Sequence, residues 1–156
     1  MNRSFPSLVA AALLFVASCT SAAERIYPPV SAAQADVAAA LKEAASTHRR
    51  VIVDFGGDWC TDCQVLDIRF REPVNAQLLQ RHYVVVRVNV GDKGIKENFD
   101  MAERYGIPLR KGVPALAVLE GDGRVVYSQR NGEFESMRSM DSASVTQFLR
   151  QWAGNP

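Results

Sequence analysis

Cys60-Thr61-Asp62-Cys63 is the segment whose residue types and spacing could do chemistry. Two thiols at this spacing suit thiol–disulfide exchange when the first stands at a helix start. The unpaired N–H groups and the helix dipole there favour its thiolate. Cys63 falls one turn further in, near enough to close a disulfide and more shielded. Exchange requires such an arrangement, an exposed nucleophile with a protected resolving thiol behind it. Zinc sites use the same spacing, but a structural zinc site would want a second ligand pair. His48 and His82 are singletons outside any such motif, so no metal ligand set is assigned. Apart from Cys19 the chain has no other cysteine, and a pair this local cannot staple a secreted fold.

The elements around the pair must deliver it. Val51-Ile52-Val53-Asp54-Phe55 is a β-branched run broken by Gly56 and Gly57, hence a strand. A helix is expected from about Cys60 towards Phe70, and Pro73 opens a second helical piece through Leu78 and Leu79. Before the strand, Glu24–Val30 reads as an extended lead-in. Ser31 and Gln34 form a capping-box pattern for a helix from Ala32 to about Thr47, with Val37, Leu41, Ala44 and Ala45 as its apolar stripe.

Further along, Tyr83–Val90 is nearly continuous in apolar residues and is expected at the centre of a sheet. Gly91–Gly94 turns the chain, and Ile95–Tyr105 is expected to be helical. Ala115–Glu120 and Arg124–Ser128, joined by Gly121-Asp122-Gly123, read as a hairpin. A last helix starts near Asp141 or Ser142, with Val145, Phe148, Leu149 and Trp152 on its buried face and Gly154 at its end. The order implies an α/β protein with a mixed sheet, parallel through the crossovers and antiparallel in the final hairpin.

The first residues set the compartment. Arg3 precedes Leu8–Ala17, an unbroken apolar run of ten residues, followed by small residues through Ala23. That is a signal-peptide pattern, about half the roughly 20 residues of a membrane-spanning helix. Two cleavage routes stay open: ordinary cleavage after Ser21-Ala22-Ala23, or a lipobox, Val16-Ala17-Ser18-Cys19, that would make Cys19 a lipidated first residue. Residues 24–30 then form the lead-in and 31–156 the domain, a length sufficient for one proper core. Basic and acidic residues number 18 and 17; without residues 1–23, which hold Arg3 and no acid, they balance. No charge excess points to nucleic acid or to an anionic membrane surface.

The segment from Val53 to Cys63, with strand, acid, Trp59 and both cysteines in register, resembles the thioredoxin active-site segment. Val86–Val90 resembles the next strand of that family. Arg104-Tyr105-Gly106-Ile107 and then Gly112-Val113-Pro114-Ala115 resemble its helix end and cis-proline loop. The likeness covers about Val51 to Tyr127, and the chain looks similar to exported thioredoxin-like proteins and to the C-terminal domain of the disulfide reductase DsbD. The resemblance implies a thioredoxin fold, a central mixed sheet of about four strands flanked by helices. Cys60 would be the attacking thiolate and Cys63 the resolving one. Asp54 would be the buried acid that takes the proton of the second cysteine; a charge in a buried strand needs some such reason. Trp59 would shield the pair and contact substrate. Val113 and Pro114 would lie beside the cysteines and pair with an extended substrate. Arg87 falls where the family often has a lysine near the buried acid.

Departures from the family pattern carry information too. Thr61-Asp62 replaces Gly-Pro, and Gln64 replaces a basic residue. Asp58 and Asp62 would flank Cys60 with negative charge and disfavour its thiolate, the reverse of what strong oxidants do. The expectation is a reductase of the bacterial periplasm acting on a disulfide-bearing protein or a small thiol substrate. It needs no cofactor and would be recharged by a DsbD-like membrane donor. The alternatives are a disulfide oxidase or isomerase, or a partner-binding or copper-handling module. Arg110 and Lys111 lie in a long loop where substrate would dock, and are either selectors or solvated charges. Met137 and Met140, read as part of a mobile loop over Ser128–Asp141, are expected to be bland rather than copper ligands.

Overall fold

The computed structural model describes residues 25–154. The expected export segment, both expected cleavage routes and Cys19 lie outside them. Among the described residues, β1 (Arg50–Gly56), β2 (Tyr83–Asn89), β3 (Ala115–Leu119) and β4 (Val125–Ser128) form one sheet in the order β2-β1-β3-β4. β1 is parallel to β2 and antiparallel to β3, which is antiparallel to β4. Parallel pairing is therefore confined to one pair. The helices are α1 (Ala33–Thr47), α2 (Thr61–Arg71), α3 (Pro73–His82), α4 (Phe99–Arg104) and α5 (Ala143–Gln151). The α/β class and the four-stranded mixed sheet are as expected.

Side-chain alternation along the strands divides the core in two. Val51, Val53 and Phe55 of β1 join Val37, Ala40 and Ala44 of α1. Ile52 faces the other way, into Leu66 and Phe70 of α2 and Val145, Phe148 and Leu149 of α5. Asp54 shares the parity of Ile52, and its register partner on β2 is Arg87. The pleat thus sets an acid and a base side by side on the α2 face of the sheet.

Several expectations are corrected. β2 is an edge strand, not a central one. Its run is apolar because α1 packs against one of its faces and α3 against the other, and a strand covered on both sides reads as continuous. The helix expected from Ile95 begins only at Phe99, because the N–H groups of Lys96 and Glu97 both donate to the Val90 carbonyl. The capping box at Ser31 does not form; Val30–Ala32 is a 3₁₀ turn and α1 has no side-chain cap. The loop over Ser128–Asp141 is anchored rather than mobile. Phe134 and Met137 are buried with Phe148, and Met140 packs on the same cluster. Met137 is core, with its sulfur in an apolar layer.

Candidate active site

Gly56 and Gly57 end β1, and one residue after Trp59 the chain enters α2. Cys60 is the N-cap of α2 in extended backbone, and its Sγ accepts the N–H of Cys63 at 3.1 Å. An N-cap acceptor is what the open end of a helix needs, so a sulfur occupies the place where the dipole favours negative charge. Cys60 and Cys63 are joined in a disulfide with Cα atoms 5.2 Å apart. Cys63 is fully buried, whereas 6 % of Cys60 is accessible. Opposite them the Val113–Pro114 peptide is cis, and the Val113 carbonyl oxygen lies 3.5 Å from Cys60 Sγ. Buried Gln129 holds this loop in place: its Nε2 donates to the Pro114 carbonyl at 3.0 Å and its Oε1 accepts the Leu116 N–H at 3.1 Å.

Behind Cys63 stands a buried polar group. Asp54 is 2 % exposed, and both its oxygens accept the Tyr27 hydroxyl, at 3.0 and 3.1 Å. Arg87 Nε is 3.9 Å from Asp54, too far to donate, and the other end of the guanidinium pairs with Asp67 on α2. Burial pushes the Asp54 carboxyl up to about 6, against the pull of Arg87 and the Tyr27 hydroxyl, with Asp67 adding to the rise. An acid that changes charge near neutrality is suited to receive and return a proton. Burial, with Asp54 next, drives the Tyr27 hydroxyl well above its usual value, so it stays protonated.

At the rim the acids are engaged differently from the expectation. Asp62 accepts the backbone N–H of Arg138 at 3.0 Å and its guanidinium Nε at 3.2 Å. Partial burial raises its carboxyl, but the Arg138 N–H and guanidinium outweigh that and hold it below the usual range. Asp58 accepts the N–H groups of Ile26 and Tyr27, at 3.0 and 3.2 Å. Each acid is therefore matched to donors of its own, and the paired cation at Asp62 offsets much of its repulsion of a Cys60 thiolate. Trp59 is 40 % exposed, with its indole N–H donated to the Gly91 carbonyl at 2.6 Å.

A thioredoxin-like family profile matches residues 32–121. The chain belongs to the thioredoxin-like family. Its fold is similar to that of a disulphide isomerase from Xylella fastidiosa Temecula1, with a TM-score of 0.77 and 32% identity over 83% of this chain and 98% of that one. A thioredoxin from Thermus thermophilus matches at a TM-score of 0.52 and 26% identity, over 72% of this chain and 80% of that one. In sequence, a thioredoxin of Buchnera aphidicola subsp. Schizaphis graminum is 28% identical over 64% of this chain and 82% of its own length. With its joined cysteines, this thioredoxin-like protein is a thiol–disulfide oxidoreductase.

In this family member the structure gathers Cys60, Cys63, Val113 and Pro114 at one end of the sheet, with Thr61 exposed at the start of α2 and Asp54 behind. Arg110 and Lys111 lie on an exposed turn before the cis-proline. Arg110 borders a separate groove with Phe99, Ile107 and Arg130, and Lys111 reaches Asn131 at 3.4 Å. Sequence reasoning missed Tyr27, Gln129 and Arg138, each paired with a residue far away in the chain. The one available signal was an aromatic residue just before Pro28-Pro29, where a free lead-in has no need of one.

Proposed function

We propose that this oxidoreductase works as a disulfide reductase of the bacterial cell envelope. The observation that carries the reading is the proton acceptor placed behind the resolving cysteine. A reductase must release its product quickly, so Cys63 must lose a proton while Cys60 is still bound to substrate. Asp54, ionising near neutrality, serves that step, whereas an isomerase gains from a mixed disulfide that lasts. The Cys60 thiolate attacks a substrate disulfide lying along the Val113 backbone and expels one substrate sulfur. Cys63 then attacks Cys60 Sγ, expels the other, and closes the protein disulfide.

Export rests on the pattern of residues 1–23, with Cys19 as lipid anchor in one of its two forms. An oxidising compartment requires an electron donor to reopen Cys60–Cys63, and a DsbD-like membrane protein fits that need. The partners are disulfide-bearing proteins or small thiols. A second reading, isomerisation, is favoured by the similarity to the Xylella fastidiosa protein described as a disulphide isomerase.

Insulin reduction and a redox titration test the first reading. Reduction should proceed, and the potential should lie nearer the roughly −270 mV of thioredoxin than the roughly −120 mV of DsbA. A value near the latter, or repair of scrambled ribonuclease outpacing insulin reduction, would reject it. Cys63→Ala should trap the natural substrate as a mixed disulfide on Cys60.

A further inference from the structure

We propose that the Tyr27 hydroxyl relays the proton of Cys63 to Asp54 across a notch made by Gly56, a step that deepens the reductase reading and rests on it. Both hydrogen bonds to the Asp54 side chain, among the described residues, come from this hydroxyl. A Cβ added to Gly56 would stand 2.6 Å from Tyr27 Cζ and 2.8 Å from Cys63 Sγ. The tip of the phenol and the resolving sulfur therefore border the same space over one Cα, and only glycine leaves that space open between them. The ring itself is 1 % exposed. It is placed by a chain of contacts from the lead-in: the N–H groups of Ile26 and Tyr27 on Asp58, and the Pro28 carbonyl on Asn89 Nδ2 at 3.0 Å. A hydroxyl both donates and accepts, so it can take one proton as it gives another.

The step balances without any further reagent. In the mixed disulfide, the Cys63 S–H gives its proton to Tyr27 Oη while the Tyr27 O–H gives its own to the Asp54 carboxylate. Tyr27 ends neutral, Asp54 protonated and Cys63 a thiolate. That thiolate attacks Cys60 Sγ, the bond from Cys60 to substrate breaks, and the substrate sulfur leaves with the electron pair and takes a proton from solvent. Asp54 returns its proton before the next cycle. The charged groups that face Asp54 are Arg87 from β2 and Asp67 from α2, with the Tyr27 hydroxyl from the lead-in.

The test follows the reduced protein mixed with a chromogenic aryl disulfide in a stopped-flow cell. The first aryl thiolate reports attack by Cys60, the second resolution by Cys63. Tyr27→Phe keeps the ring and removes the relay. Its second phase should slow by about tenfold or more while the first stays within about twofold. Losing a hydrogen bond that stabilises the Asp54 carboxylate should also move the pH profile of the second phase to higher pH. In an Asp54→Asn background, Tyr27→Phe should add little further slowing, because both act in one transfer.

A second phase within about twofold of the unsubstituted protein, or both phases slowed alike, would overturn the relay. Should Tyr27→Phe fail to fold, a proton inventory of the unsubstituted protein in mixtures of light and heavy water decides. A curved dependence of the second phase supports two protons in flight, and a straight line overturns it. The assay needs only the two thiols, so a protein that fails to reduce insulin would sink the reductase reading and leave this result standing.

Discussion

Asp54 is sealed behind Cys63 between β1, α2 and the lead-in, while Asp62 stands at the rim beside Cys60 and is held by Arg138. Two carboxylates near one disulfide are thus driven in opposite directions. Burial raises Asp54 to about 6; the Arg138 donors bring Asp62 below the usual range despite its burial. In the proposed mechanism the difference separates two tasks. A group that handles protons must change charge near working pH, whereas a group that shapes a neighbour's thiolate must keep its charge. Residue type does not decide which is which: burial does for Asp54, and the Arg138 donors do for Asp62.

Replacing Asp54 is the strongest way to break this contrast. Asp54→Asn should slow release of the mixed disulfide by about 100-fold at neutral pH, measured as the second thiolate phase. The same variant should gain stability. A folded-state value near 6, above the unfolded value of about 3.9, gives a contribution complete below about pH 4 and lost as pH rises through 6. Asp54→Asn should therefore be about 2–3 kcal/mol more stable than the unsubstituted protein at pH 8 in urea titrations, and lack that slope. An unchanged slope would mean that Asp54 is ordinary.

Gln129→Leu attacks the front instead. It leaves the Leu116 N–H and the Pro114 carbonyl without their side-chain partner, and should cost about 2 kcal/mol in thermal or urea unfolding. The Asp54-dependent pH slope should survive it, which keeps the two regions distinct.

The smallest effects test Asp62. Asp62→Asn removes negative charge near Cys60 and should make the potential more oxidising by about 10–20 mV. Arg138→Ala exposes that charge and should make it more reducing by a similar amount. Titration against a glutathione or dithiothreitol buffer reads both, and shifts of equal sign would remove Asp62 from the rim's electrostatics. Stability should fall by about 0.5 kcal/mol in each, since Arg138 is largely exposed. The sign of Asp62's own pH effect opposes that of Asp54: its stabilisation is present above its unfolded value and disappears as pH falls through the lower folded one.

How much was legible follows the length of the interaction. Cys60, Cys63 and Asp54 lie within ten positions of one another and could be placed from strand, loop and helix signals alone. Asp54 could even be singled out, because an acid between Val53 and Phe55 has no cheap explanation. The partners that give these residues their character are remote. Tyr27 meets Asp54 at a separation of 27, and Arg138 meets Asp62 at 76, distances at which periodicity is silent. The same limit explains β2. Helices on both faces made an edge strand look central, and only the pairing partners distinguish the two.

The docking of the lead-in has a consequence for how this protein can be taken apart. The matched family region begins at residue 32, after Tyr27 and after both backbone donors to Asp58. A chain trimmed to start there would still contain every strand of the sheet, the two cysteines and the cis-proline loop. It would nevertheless be a different reagent, with Asp54 stripped of its hydroxyl partner and the floor over Gly56 left open. The working unit of this protein is therefore larger than its recognisable domain. Ile26, Tyr27 and Pro28, which in the sequence look like part of a mere link, belong to it.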